Sequence, residues 1–381
     1  MFSLIMQYWS FIIGLQSPVT NLPSSISGHP SLNITETIQN WLIGTMSEGT
    51  ANILAMVIVA LIYLGIFSVA GLFLVLLERR VAAWFQLRIG PNRVGPLGLL
   101  QTMADALKLV SKELTGTVKA DKFLYNLAPY FVIVTALMAL AVLPFTQGFQ
   151  AFDVNIGIFF LIAVSSIGVI GILLGGWSSN NKFALIGAMR SGVQTISYEL
   201  SVGLSLLTMI LLTGTLQLSE IIEVQKGGWL IVQGHIPAII AFMIFMISGT
   251  AETNRAPFDM VEAESELGAG FHTEYSGMKF AYFFLAEFIN MFIIAAIGAT
   301  VFFGGWLSPF GITESIPWLG VFWFLGKTFV LIFLMMWFRW TFPRLRVDQL
   351  LTLEWKYLLP INLVNIVVMA IVVWLNLIIS W

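Results

Sequence analysis

ANILAMVIVALIYLGIFSVAGLFLVLL, residues 51–77, carries no charged side chain. A helix needs about 20 apolar residues to cross a hydrocarbon core of ~30 Å, whereas a barrel strand needs about ten residues of alternating polarity. This run is too long and too evenly apolar for a strand, and it predicts a membrane-spanning helix. Outward from it, further runs of the same kind read at about 126–146, 154–177, 200–216, 236–251, 280–303, 320–338 and 358–380. The expected fold class is therefore all-α, a polytopic integral membrane protein with about eight transmembrane helices.

The composition agrees. Only 10% of the 381 residues are charged and 58% are hydrophobic, against roughly 25% charged in an ordinary soluble domain. Mean hydropathy is +0.90. A net charge of −2 gives no footing for nucleic acid. With no cysteine, the chain has no disulfides, thiolate metal sites or Cys-ligated iron–sulfur clusters. His29, His235 and His272 are scattered, and no GxGxxG or Walker loop follows a strand. The expectation is that the chain binds no cofactor of its own.

The basic residues are sorted. Of 18 Lys and Arg, all but Lys226 and Lys327 fall in the segments after the first, third, fifth and seventh spans. The positive-inside rule then makes 78–125, 178–199, 252–279 and 339–357 cytoplasmic and puts both termini outside. Residues 1–50 form a separate region, in which Phe2–Leu15 is apolar but short and the polar stretch after it reads as an external linker. Residues 51–381 form the eight-span domain. The first cytoplasmic segment is basic and the third acidic, which suggests a docking surface for soluble partners.

Acids inside apolar runs carry the chemistry. Glu287 lies in FFLAEFINMFII, Glu199 opens the fourth span in SYELSVG, and Glu252 closes the fifth in SGTAETNR. A charge at the bilayer centre costs about 2.5–3.5 kcal/mol on insertion scales, so such residues face protein or a wet cavity. A desolvated carboxyl is a candidate for taking up a proton near neutral pH. Three of them on different spans favour a proton relay over isolated headgroup-layer acids. Glu262, Glu264 and Glu266 form an acidic run interleaved with apolar residues. It reads either as a proton-sharing group or as a solvated loop.

Arg255 stands between Glu252 and Asp259, and Arg79 and Arg80 follow Glu78. They read as ion pairs and membrane anchors, or as groups that neutralise a buried carboxylate or a reduced quinone. Lys327 is a candidate partner for a span carboxylate, or it snorkels. IGPNRVGPLG, residues 89–98, lacks the Lys-Ser/Thr of a phosphate loop and reads as a rigid turn. Gly175 and Gly176 read as sites of close helix packing.

Four stretches go further. LERRVAAWFQLRIGPNRVGPLGLLQTMADALKLVSKE, ALIGAMRSGVQTISYEL, AETNRAPFDMVEAESELGAGFHTEYSGMKFAYFFLAEF and WFRWTFPRLRVDQLLTLEWKYLLP resemble, in order, the signature segments of the quinone-site membrane subunit of respiratory complex I. The resemblance runs from about residue 51 to the C-terminus. It implies the heel of the membrane arm, whose cytoplasmic loops bind soluble iron–sulfur subunits and complete a chamber for quinone, the substrate. FMN and the iron–sulfur clusters would reside on partner subunits, with adjacent small membrane subunits as further neighbours. The resemblance implies that Arg79, Arg88, Asp105, Arg255 and Arg339 line or support the quinone channel, with Arg190 in the adjoining polar network. By the same resemblance Glu199, Glu252, Glu262, Glu264, Glu266 and Glu287 form the acidic path into the membrane.

Four positions depart from the family's usual residues: Thr102 for Pro, Gly192 for Ala, Gly268 for Val and His272 for Asn. The implied activity is that of a proton-translocating NADH:quinone oxidoreductase subunit in a bacterial inner membrane. Alternatives are the equivalent subunit of a ferredoxin-, F420H2- or hydrogen-driven relative, a proton-coupled secondary transporter, and an assembly scaffold. A transporter usually shows an internal repeat, and the sequence shows none.

Overall fold

A computed structural model describes residues 33–43, 47–260, 268–308 and 317–375. They are largely helical. The order is α1 (Ile34–Ile43), α2 (Glu48–Phe85), α3 (Gln101–Ser111), α4 (Lys122–Val142), α5 (Gly157–Ser178), α6 (Lys182–Thr213), α7 (Leu218–Val224), α8 (His235–Glu252), α9 (Gly277–Phe303), α10 (Gly320–Thr341) and α11 (Val347–Trp374). Eight of these, α2, α4, α5, α6, α8, α9, α10 and α11, are long and apolar enough to cross a membrane.

Three spans differ from the hydropathy reading, the first because α2 continues past residue 77 to Phe85. The segment 178–199, expected as a loop, is helical from Lys182, and α6 runs for 32 residues, about 48 Å at 1.5 Å per residue. Its polar residues Ser191, Gln194, Thr195, Ser197 and Tyr198 are buried. They face neighbouring helices, where hydropathy cannot see them. The segment 339–357 is likewise helical from Val347, with a π-turn over Leu353–Leu358. That widened turn directly precedes Pro360, which has no N–H for the carbonyl of Lys356.

Helix ends are closed by local chemistry. Asp121 Oδ1 accepts from the N–H groups of Phe123 and Leu124 at the start of α4, and Asn181 Oδ1 accepts from Phe183 N at the start of α6. The turn between α5 and α6 is very short. It brings the helices together at Gly176, where an added Cβ would lie 2.3 Å from Ala188 Cβ and 2.6 Å from Ala184 O. Gly176→Val is expected to force this hairpin apart and to cost about 1–3 kcal/mol or more. The thermal unfolding midpoint of the detergent-solubilised protein reads it, and an unchanged midpoint would refute the packing role.

The core sits around α9. Its apolar window is 61% buried, against 22% for α2 and for α11. It packs against α2, α4, α8 and α10. A titratable residue on α9 is thus placed at the hub of the bundle. Lys327, on α10, does not pair with a span carboxylate. Its Nζ donates to the carbonyls of Phe303, Gly305 and Leu307 at 2.7, 2.9 and 2.6 Å, groups at and just beyond the end of α9 that lack intrahelical donors.

Candidate functional site

Three helices and one turn deliver charge to one point. Glu78 comes from the far end of α2, Arg255 from the turn after α8, Glu287 from α9 and Arg339 from the last turn of α10. Arg255 Nη1 donates to Glu78 Oε2 at 2.7 Å, and Arg339 Nη1 donates to Glu78 Oε1. Arg255 Nε lies 3.0 Å from Glu287 Oε1. The Arg255 guanidinium also stacks 4.2 Å above the Phe288 ring. Two carboxylates thus meet two guanidiniums, and Arg255 is only 5% exposed. Each charge has a counter-charge, the condition under which ions are kept in a low-dielectric interior.

These groups wall a cleft of about 580 Å³, within the usual range of small-molecule pockets. Glu78, Arg79, Arg88, Arg255, Glu287 and Arg339 line it together with Val75, Ile89, Phe284, Phe288 and Trp340. A wall of mixed charge and apolar rings suits a ligand with a polar ring and an apolar body. Arg79 is held by Asp105, whose other oxygen accepts from Gln101 Nε2 at 3.3 Å. The IGPNRVGPLG segment frames one side as a rigid turn. Gly95 and Gly98 have positive φ, and a Cβ on Gly98 would meet Pro91 O at 2.1 Å.

Behind the cleft lies a second cavity of about 90 Å³, among α4, α5, α6, α8 and α9. Its walls are mostly apolar, and Glu252, Thr253, Asn254, Glu287, Asn290, Ser165, Thr195 and Thr135 bring polar groups into them. Its volume has room for several waters beside those polar groups. Glu287 lines both the cleft and this cavity. Ser165, whose hydroxyl donates to Ile162 O, lines the inner cavity with Glu252, and the neighbouring Ser166 hydroxyl donates to Glu199. Two adjacent serines on α5 therefore stand between two carboxyls on different helices. Glu199 itself faces an outer groove lined by Ile162, Leu204, Leu359 and Leu363.

The structure thus brings together Arg79, Arg88, Arg255, Arg339 and Glu287 at the cleft, with Asp105 in support. Glu252 joins through the inner cavity and Glu199 through the serine pair. Arg190 does not line the cleft. Glu262, Glu264 and Glu266 lie outside the described residues. Glu78 is the centre of the ionic cluster and was legible only as the acid before Arg79 and Arg80. A separate buried carboxyl, Glu354, is fully enclosed and accepts from the Ser201 hydroxyl. Among the described residues no group of three His, Cys, Asp or Glu is placed to hold a metal ion.

The unusual residues also have places. His272 packs its ring against Phe271 and Phe280. Burial pushes its imidazole down to about 4, so it is neutral at physiological pH, as an Asn would be. Gly268 has φ +72°, a conformation in which a β-branched residue is strained. Gly192 faces Leu173 closely, with an added Cβ 2.9 Å from its Cδ2.

Fold and site together define a multi-pass helical membrane protein with a buried carboxylate–guanidinium cluster at one end of its spans. Residues 56–370 match the family model described as NADH dehydrogenase. The chain is 54% identical to the H subunit of NADH-quinone oxidoreductase from Bacteroides fragilis, with 89% of this chain and 97% of that one covered. Identity is also 54% to the corresponding protein of Phocaeicola vulgatus, over 89% and 97% of the two chains. For that of Bacteroides thetaiotaomicron it is 52%, over 88% and 96%. The chain belongs to the H-subunit family of NADH-quinone oxidoreductase, a membrane subunit of respiratory complex I.

Proposed function

We propose that this chain forms the membrane-side wall of the quinone chamber in a bacterial inner-membrane complex I and couples quinone reduction to proton translocation. The observation that carries this is Glu287, which lines both the charged cleft and the inner cavity behind it. Reduction of a quinone by two electrons adds two negative charges unless two protons arrive with them. Arg255 and Arg339 are placed to meet that charge, and both already bind Glu78. Redistribution of their bonds changes the field at Glu287. Glu287, Glu252 and Glu199 then offer successive carboxyls, with the inner cavity and Ser165 and Ser166 between them, through which a proton is taken up or passed on.

Electrons come from NADH through FMN and iron–sulfur clusters on partner subunits. Cytoplasmic segments 78–125, 252–279 and 339–357 dock the soluble subunits, Glu262, Glu264 and Glu266 extend the acidic path, and Arg190 supports the adjoining loops. Residues 51–381 are the working unit of this reading.

Glu199→Gln and Glu252→Gln test the relay. Each keeps shape and hydrogen bonding but cannot release a carboxyl proton. Inverted vesicles are expected to acidify several-fold less per NADH oxidised. If both variants translocate protons per NADH as the wild type does, the relay is lost.

A further inference from the structure

Arg255 is held at the cleft by a turn with little regular structure. The turn leaves α8 at Ala251, passes Glu252, Asn254 and Arg255, and reaches Phe258. Gln194 of α6 reaches across it. Its side-chain Nε2 donates to Ala251 O at 2.7 Å and to Phe258 O at 2.8 Å. Gln194 is 2% exposed. One amide nitrogen therefore ties the two ends of the turn that carries both Glu252 and Arg255.

Ala251, Phe258 and Met260 pack in an apolar cluster with Tyr198 of α6, Leu350 and Leu358, but few other hydrogen bonds fix the turn from outside. Leu345 N donates to Pro257 O at 3.0 Å, and Arg344 reaches Asp259 at 3.2 Å. Both act beyond Arg255 in the chain. From the α6 side Gln194 alone, among the described hydrogen bonds, spans the turn. Its amide is planar and its hydrogens diverge, a geometry suited to two acceptors at once.

We infer that Gln194 is a positioning residue, whose amide sets the chord of the 251–258 turn and thereby the placement of Arg255 against Glu78 and Glu287. It touches neither cleft nor inner cavity, so it acts through the turn and not on the substrate. This inference rests on the reading of Arg255 as a quinone-site group.

The test substitutes Gln194→Met in the whole complex. Methionine matches the length and removes both donors. The two carbonyls keep a backbone partner each, Asn254 N for Ala251 and Met260 N for Phe258, so the turn is loosened without leaving naked acceptors. Assembled complex is measured together with NADH oxidation by ferricyanide, which bypasses the quinone site, and with the KM and kcat for a short-chain quinone. The expected result is normal ferricyanide activity per complex and a roughly tenfold loss in kcat/KM for the quinone, since a misplacement on the order of 1 Å at such a site costs up to about 10²-fold. Should the methionine variant not assemble, Gln194→Asn carries the same reading. Its amide is too short to reach both carbonyls, and a smaller loss of the same kind is expected.

An unchanged kcat/KM in whichever variant assembles overturns the inference. So does a fall that only follows the amount of complex. Arg255→Lys, measured alongside, separates the two levels. If it leaves quinone kinetics untouched, the reading of Arg255 fails. If it alters them while Gln194→Met does not, only the positioning role fails.

Discussion

Arg255→Met is expected to abolish quinone-dependent NADH oxidation, by about 10²-fold or more. Among the described residues Arg255 is the single cation that touches both Glu78 and Glu287, and it is nearly enclosed. Its removal leaves two buried carboxylates with only Arg339 to answer them. Breaking a buried ion pair in this way costs about 3–5 kcal/mol, which at 1.4 kcal/mol per factor of ten corresponds to roughly a hundredfold to a few thousandfold. Arg255→Lys is expected to recover part of the activity, because an ammonium restores charge but cannot bridge two carboxylates and stack on Phe288 together. The measurement is the ratio of quinone to ferricyanide activity per assembled complex. If that ratio is unchanged and only the yield falls, Arg255 is an assembly anchor and the scaffold reading gains.

Lys327→Met is expected to destabilise the opposite end of the same central helix. The ammonium answers three carbonyls, of Phe303, Gly305 and Leu307. An unsatisfied buried carbonyl costs about 1–3 kcal/mol, so the variant stands to lose several kcal/mol. The effect should appear as a lower unfolding midpoint and less folded protein in the membrane, with the quinone KM of surviving complex unaltered. A changed KM with an unchanged midpoint would show that Lys327 belongs to the functional path instead.

Hydropathy and charge sorting reached the class of fold because both are local. A run such as 51–77 must leave water wherever its neighbours go. The long motifs likewise pointed to the family before any contact was known. Glu287, Glu252 and Glu199 were legible as charges in apolar surroundings, and Arg255 as a charge between acids. Helix limits were less legible. The polar residues of 182–199 looked like a loop, because burial against other helices is invisible in a sum of side-chain polarities.

What the sequence by itself determined is a bundle of about eight spans with its basic residues on one side and ionisable groups stranded within it. Only the tertiary structure decided which of those groups meet. Arg255 and Glu78 are separated by 177 positions, and Arg339 and Glu78 by 261. No periodicity reaches across such intervals. That Glu287 borders two cavities, that Lys327 caps a helix and that Gln194 spans a turn all follow from how α9, α6 and α8 pack. Apolar surface is driven from water whichever partner it finds, whereas an ion pair or a hydrogen bond exists only at one distance and angle.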